Sequence, residues 1–461
     1  MVNNAIFALI SRSLKLEGQL DKKRRTKTGH PPAVHVHGFA AGHKTLAIGA
    51  LYAQGWPEPG PRPTLVLTVG PGYAQRLVAQ LSSLLPERDV LLFPAREVWP
   101  HEELHVPEEI VSARLAVLER LALGEPVVVI APVQAVAERL APKHVLTERL
   151  WTIAVGDVVN MDDLVARLAR EGYERVAMVQ GRGQFSVRGG LLDVFPVAAE
   201  TPYRIDFFDD EVDSIRSFDP ETQRSVGDIK QIRIGPAREY PLINDPAVLE
   251  RIEAAVTQQV ESLQKAGAGE GADALAQRAR THLDHIAGGR WVPGLDQYKP
   301  FFFPHLETLI DYVGEDGLVI VDEPARSREQ LQLLNSEFAE AQPDLLERGR
   351  ALPQQADLFI DWDDLVEEVR RRNALFLAGL PQAAPGLEHV PEVSVRSRPP
   401  ETFHGKLERF VSAVRRRRRE GWRIVIIAST ESRAQRIQEV LEDEEIPATW
   451  LNKAAATLPL G

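Results

Sequence analysis

The sequence holds no cysteine. That absence excludes a disulfide framework and any zinc site built on thiolates, and it fits a reducing compartment such as the cytosol. Long apolar runs are missing from the amino end as well. In MVNNAIFALISRSLK the uninterrupted apolar stretch covers only residues 5–10, too short for a secretory h-region or a membrane span. The expectation is a cytoplasmic chain with no membrane partner. Positive charge is in deficit, with 54 Lys and Arg against 66 Asp and Glu and a formal net charge of -12. A protein whose main surface is a nucleic-acid groove depends on clustered Lys and Arg, so that class is disfavoured and only a local basic patch stays open.

What is present is ample core material. Of 461 residues, 44% are hydrophobic, and since single cores stop growing near ~250 residues the chain should form roughly three domains. After a basic stretch, DKKRRTK (21–27), runs at 64–69, 90–93 and 126–131 are β-branched, bounded by Gly or Pro, and read as buried strands. Between them EEIVSARLAVLERLAL carries Ile110, Ala113, Leu115, Leu118 and Leu121 at helical spacing. Strands alternating with helices predict a parallel sheet. Near 151 the pattern changes. A helix over 162–171 leads into GQFSVRGGLLDVFPV and PYRIDFFDDEVDSIRSFD, alternating runs with an Asp-rich turn at Asp209 and Asp210, which predicts an antiparallel module of about 85 residues.

Helical patterns resume from 245, interrupted by AGAGEGAD (266–273), a flexible loop by composition. DGLVIVDEPARSREQL then returns to a buried strand followed by a helix. The expected organisation is an α/β, RecA-like (P-loop-type) parallel-sheet domain in two parts, 1–150 and 237–385, split by an inserted antiparallel α+β domain over 151–236. A Pro-rich linker near 381–400 leads into the start of a further α/β domain over 386–461. Its strand, helix, strand series, RIVIIAST, ESRAQRIQEVLED and IPATWL, supplies fewer strands than the ~5 of an ordinary sheet. This last domain is therefore expected to be cut short.

HVHGFAAGHKTLAIGAL, residues 35–51, carries most of the phosphate-loop pattern GxxxxGK[ST]. Gly38 stands first, and Lys44 and Thr45 close the pattern. The second glycine of such a loop lets backbone N–H groups turn inward around phosphates. Here that position is His43, which brings a Cβ and a ring into the space meant for phosphate oxygens. Gly42 restores some freedom one residue early. An acidic pair after the strand LVIV, Asp322 and Glu323, is placed to hold magnesium. Gly38, Gly42, Lys44, Thr45, Asp322 and Glu323 thus form a candidate, degenerate nucleotide site, weighed against a scaffold in which Lys44 and Asp322 form only a structural ion pair.

The stretch GQFSVRGGLLDVFP followed by PYRIDFFDDEVDSIRSFDPETQRS, residues 183–225, resembles the signature of the transcription-repair coupling factors, the Mfd family, and more loosely that of the excinuclease subunit UvrB. GYERV (172–176) and KPFFFPHLETLIDY (299–312) support the likeness. The resemblance implies an amino-terminal UvrB-like module that does not hydrolyse ATP and needs no cofactor of its own. ATP and magnesium would serve the helicase-type translocase domains of the family, which are missing from this chain together with the domain that contacts RNA polymerase. RNA polymerase and DNA would accordingly be partners only through those absent parts. UvrB grips DNA with an aromatic-rich hairpin. The corresponding region here, FPAREVWPHEELHVPEEI (93–110), has the single Trp99 and no row of tyrosines to wedge or stack against bases.

In YRIDFF successive side chains alternate between faces. Ile205 and Phe207 share one face, read as the core side. Arg204, Asp206 and Phe208 share the other, which Arg188 on the preceding strand is able to join. A phenylalanine beside an arginine on a polar face is typical of interface anchors, although a neighbouring domain covering that face would explain it equally well. By the resemblance, Arg188, Arg204 and Phe208 stand at the family's contacts with UvrA. The arginines would then meet acidic groups and Phe208 an apolar pocket.

The expected role is an adaptor that recruits UvrA to stalled polymerase. A UvrB-like, DNA-stimulated ATPase is the enzymatic alternative, and a purely structural masking role on the same polar face is a third. Other signals are weaker. HEELH (101–105) matches the zinc-peptidase pattern, but Pro107 follows too closely for a helix to continue. His35 and His37 share one side of a strand with no carboxylate partner in view. RRRRR (415–419) ends a helical run, where cations favour the C-terminus. FFF (301–303) reads as core packing. No metal site is expected.

Overall fold

The computed structural model describes residues 33–449, apart from 41, 382–385, 396, 400, 404, 423, 427 and 429. MVNNAIFALISRSLK, DKKRRTK and the end of IPATWL lie outside the described residues. Near-continuous apolar runs flanked by helices give a parallel sheet buried on both faces. Seven strands form it: β1 (Ala33–His37), β2 (Thr64–Thr68), β3 (Val90–Leu92), β4 (Val128–Pro132), and, far along the chain, β13 (Leu318–Asp322), β14 (Asn373–Ala378) and β15 (Glu392–Ser394). Their order across the sheet is β15-β1-β14-β13-β2-β4-β3, every pair parallel. Strands from before and after the insert are thus interleaved in one α/β layer, as the split-domain reading requires.

Helices α1 (His43–Gln54) and α2 (Pro71–Ser82) cover one face, packing Ile48 and Leu77 on Val66 and Ile320. Helix α3 (Glu108–Ala122) covers the other, with Leu115 and Leu118 against Leu65, Val129 and Val319. The same hydrophobic cluster runs on into the insert.

The insert enters along β5 (Trp151–Ala154) and leaves along β12 (Gln231–Ile234), which pair antiparallel as a two-stranded ribbon. Between them α4 (Met161–Arg170) buries Leu164 and Leu168 against a six-stranded sheet. Its strands are β6 (Glu174–Arg175), β7 (Gln184–Arg188), β8 (Leu191–Phe195), β9 (Tyr203–Phe208), β10 (Glu211–Phe218) and β11 (Ser225–Ile229), in chain order across the sheet. All pairs are antiparallel except β6 with β7.

Three sequence expectations change. AGAGEGAD is a loop only at 266–268, because α6 (Gly269–Ala287) begins inside it and sets Ala272, Leu275, Ala279 and Ile286 against α5 (Pro246–Lys265). Apolar spacing outweighs the glycines' composition there. Phe302 and Phe303 are buried in this same helical core. The Pro-rich linker contains β15, which pairs with β1 at the sheet edge. In RIVIIAST the described residues 424–426 form no strand, and Ile424, Val425 and Ile426 are exposed. A strand needs a neighbour for its backbone groups, and none pairs with these residues among those described. Helix α7 (Pro324–Glu347) follows β13, and α8 (Trp362–Arg370) precedes β14. The five arginines lie in the last turns of α9 (Leu407–Arg419), where Arg415 pairs with Glu444 and Arg416 with Glu401. Helix α10 (Glu431–Asp443) packs beside it through Leu441.

Candidate functional site

Residues far apart in sequence meet where β1 gives way to α1. The Lys44 ammonium lies 2.5 Å from Asp322 Oδ1 and 2.5 Å from Glu323 Oε1. Glu323 also accepts the Gly379 N–H at 3.0 Å. Burial pushes the Asp322 carboxyl above its ordinary range despite Lys44 beside it. The Tyr73 ring lies 5.9 Å from the ammonium, and its phenol is pushed well up by burial and then by Asp322. The Thr45 hydroxyl donates to Gln80 Oε1 at 2.7 Å. Gly42 caps α1 with a φ of 83°, the left-handed conformation that glycine adopts without strain.

The loop itself is stitched to the chain that follows β15. The Ala40 N–H donates to Ser397 Oγ at 2.5 Å, and that hydroxyl donates to the Gly38 carbonyl at 2.8 Å. Gly38 has a φ of 95°, and a Cβ there would stand 2.2 Å from the Val395 carbonyl oxygen. These groups do not fit ATP and magnesium in this arrangement. The lysine is held by the two acids a metal would need, the threonine hydroxyl is turned to α2, and the Ala40 N–H is taken by Ser397. Burial also lowers the basicity of His43, at the position of the missing glycine.

The second candidate lies on the outer face of the six-stranded sheet. Register places Asp193 opposite Arg204, Leu191 opposite Asp206 and Arg188 opposite Leu191. Directly opposed residues project to the same side, so Arg188, Leu191, Asp193, Arg204, Asp206 and Phe208 form one patterned face. Ile205 points the other way into the core. Phe208, at the tip of the β9–β10 hairpin, is 78% exposed. The Arg188 side chain is 50% exposed, and its Nη2 donates to Asp193 Oδ2 at 2.8 Å.

Arg204 differs from the open cation expected of it. Its Nε and Nη2 both donate to Asp193, at 2.7 and 2.9 Å, its guanidinium lies 4.8 Å from the Phe218 ring centre, and its side chain is only 16% exposed. The Asp193 side chain is 1% exposed. Sequence reasoning missed this buried acid, although its parity with Arg204 in LLDVF was the available signal. Hydrogen bonding to Asp193 raises the basicity of Arg204 further. Asp206 is taken by Arg216 and Ser214.

Residues 101–105 form no helix, and Trp99 stacks on Phe338 with ring centres 5.3 Å apart at the edge of a cavity of about 250 Å³. His35 and His37 do have a carboxylate partner: Glu392 on β15 approaches them at 3.6 and 4.0 Å. Among the described residues no group of three or more His, Cys, Asp or Glu is placed to hold a metal, and no helix is long and apolar enough to cross a membrane.

Residues 151–240 match the family described as the UvrB interaction domain. The insert, with its outer sheet face, is therefore similar to such a domain. More particularly, the chain is similar over most of its length to the transcription-repair-coupling factors. It is 33% identical over 400 residues to the transcription-repair-coupling factor of Bacillus subtilis, covering 86% of this chain and 33% of the relative. The Haemophilus influenzae protein of that name is 29% identical over 362 residues, 76% of this chain and 29% of the relative. That of Staphylococcus epidermidis is 28% identical over 381 residues, 81% and 32%. The chain thus spans about a third of the length of these relatives.

Proposed function

We propose that this chain serves transcription-repair coupling as an adaptor whose inserted domain recruits UvrA. The observation that carries the reading is Phe208, a large apolar side chain held 78% exposed on a folded hairpin, on the same face as the half-exposed Arg188. Exposed rings flanked by arginine are typical binding anchors. Arg188 offers its outer side to an acidic group on the partner, while Arg204 acts through Asp193 by fixing where Arg188 sits. The phosphate-type loop is a structural remnant in this reading, without turnover of ATP. RNA polymerase, DNA and any ATP-driven movement are assigned to portions of the longer relatives outside the matched length.

The test is binding of purified UvrA to the chain. Phe208→Ala should weaken it by at least about tenfold, while Lys44→Ala should leave it unchanged and reveal no ATPase activity to abolish. UvrA binding that ignores Phe208→Ala and Arg188→Glu alike would overturn the reading.

A further inference from the structure

The Phe208 hairpin does not stand alone. The segment between β5 and α4 lies beside the first residues of β10, on the side that β11 takes further along, and is hydrogen-bonded to them. The Gly156 N–H donates to the Val212 carbonyl at 2.8 Å, Val212 N–H to Asp157 at 2.9 Å, and Val159 N–H to Asp210 at 2.8 Å. An antiparallel bridge sets Val158 opposite Glu211, and Glu211 is itself opposite Phe208. Opposed residues project to the same side, with neighbouring strands ~4.8 Å apart. Val158 and Phe208 therefore stand on one face, about two strand spacings apart with Glu211 between them. Val158 is 78% exposed, as Phe208 is. Two apolar side chains fixed this openly on backbone hydrogen-bonded to β10 gain little burial from the fold of this chain.

The two segments that carry them are themselves of one charge, with Lys230 beside them where the Val155 N–H donates to its carbonyl at 2.9 Å. Asp157, Asp209, Asp210, Glu211 and Asp213 lie in or beside these two segments, which contain no Lys or Arg between 155 and 160 or between 208 and 213. Asp157 accepts the Ala154 N–H and Asp210 the Asn160 amide. Among the described residues none of the five takes part in an ion pair. The cations Arg188, on β7, and Arg204 and Arg216, opposed on β9 and β10, lie further along the same face. The face is thus polarised, cationic at one end and acidic around the apolar pair at the other.

We propose that Val158 is a second apolar anchor, and that the surface which takes UvrA runs from the β9–β10 hairpin onto the 155–159 segment, where it meets a pocket on UvrA rimmed by Lys or Arg. This rests on the reading of the Phe208 face as the UvrA site. The acidic rim selects that chemistry because a like-charged or purely acidic partner surface would be repelled there.

The experiment measures affinity of the purified chain for UvrA across a salt series, with circular-dichroism melts as the folding control. Val158→Asp should weaken binding by about tenfold and Val158→Thr, which keeps the β-branched backbone preference, by a few-fold. Asp209→Lys with Glu211→Lys should weaken it by about tenfold at low salt, and the penalty should shrink as salt rises. If Phe208→Ala weakens binding while both Val158 variants stay within twofold of wild type, this inference fails and the adaptor reading stands. If Phe208→Ala, Arg188→Glu and Val158→Asp are all silent, the adaptor reading fails and takes the inference with it. A wild-type chain that sediments as a dimer, made monomeric by Val158→Asp, would assign the surface to a second copy and overturn the proposal.

Discussion

The loop at the start of α1 and the outer face of the inserted sheet are built from the same ingredients, a strand-borne aspartate with a long cationic side chain, and they end in opposite conditions. At the loop Lys44 is gripped by two acids and backed by Tyr73, while Ser397 takes the loop's Ala40 N–H and bonds the Gly38 carbonyl. On the sheet one buried aspartate holds two arginines, and one of them stays half exposed on the same face as an uncovered phenylalanine. Ion pairing alone therefore says little about function. What separates the regions is whether donors remain on the solvent side once the pairing is complete.

The comparison breaks most visibly at Asp193. Replacing it with Ala strands Arg204 with its partner gone, and removal of one member of such a buried pair costs about 4 kcal/mol. Denaturant unfolding should show that loss, and a change below about 1 kcal/mol would mean the aspartate is not the tether. Lys44→Met should be next, at about 3 kcal/mol near pH 8, because it leaves Asp322 buried and unpaired. The folded-state pKa of Asp322 already lies above its ordinary value through burial, so its ionised form destabilises the fold as pH rises. The Lys44→Met deficit should accordingly shrink as pH falls and Asp322 takes up a proton. A deficit independent of pH would contradict this.

Glu119 sharpens the contrast from the joint between the two regions. It sits on α3 against Gly235 of the insert's exit, with Arg233 and Glu125 the nearest charges, and burial pushes its carboxyl up to about 7 from the usual 4.5. The folded chain holds this proton more tightly than the unfolded one, so the associated stability is full at low pH and is lost as pH climbs from about 4.5 to 7. Glu119→Gln should therefore stabilise the protein by about 2 kcal/mol at pH 8 and barely at pH 4.5, as read from melts at the two values. The smallest effect belongs to Phe208→Ala, which should leave unfolding free energy within about 0.5 kcal/mol of wild type, as for surface positions in general. A larger loss would show that the ring supports its own domain.

Much of this was legible in the sequence because the signals were local. The alternating runs gave β7 to β10 and the hairpin turn at Asp209 and Asp210, and YRIDFF placed Ile205 inward and Phe208 outward. Lys44 and Asp322, 278 positions apart, were paired in advance through motif chemistry. What escaped depended on distant pairing or on burial. Nothing in the Pro-rich 381–400 segment announces that β15 adds an edge to β1, or that Ser397 takes the loop's backbone donor. Arg204 read as an outward cation because strand parity fixes the face of a side chain and not where its tip ends. RIVIIAST has the composition of a strand, yet composition supplies no partner for its backbone.

The order of the parallel sheet has a consequence for synthesis. β1 is flanked only by β14 and β15, so the first strand of the layer to emerge from the ribosome must wait for neighbours more than three hundred residues behind it. Contacts so distant in sequence form late and slowly. Until they form, the loop after β1 has neither Asp322 nor Ser397 to close on, whereas β7 to β11, each beside its successor, have every pairing partner within one short stretch of chain. The partner-facing module is thus in a position to mature well before the layer that carries it.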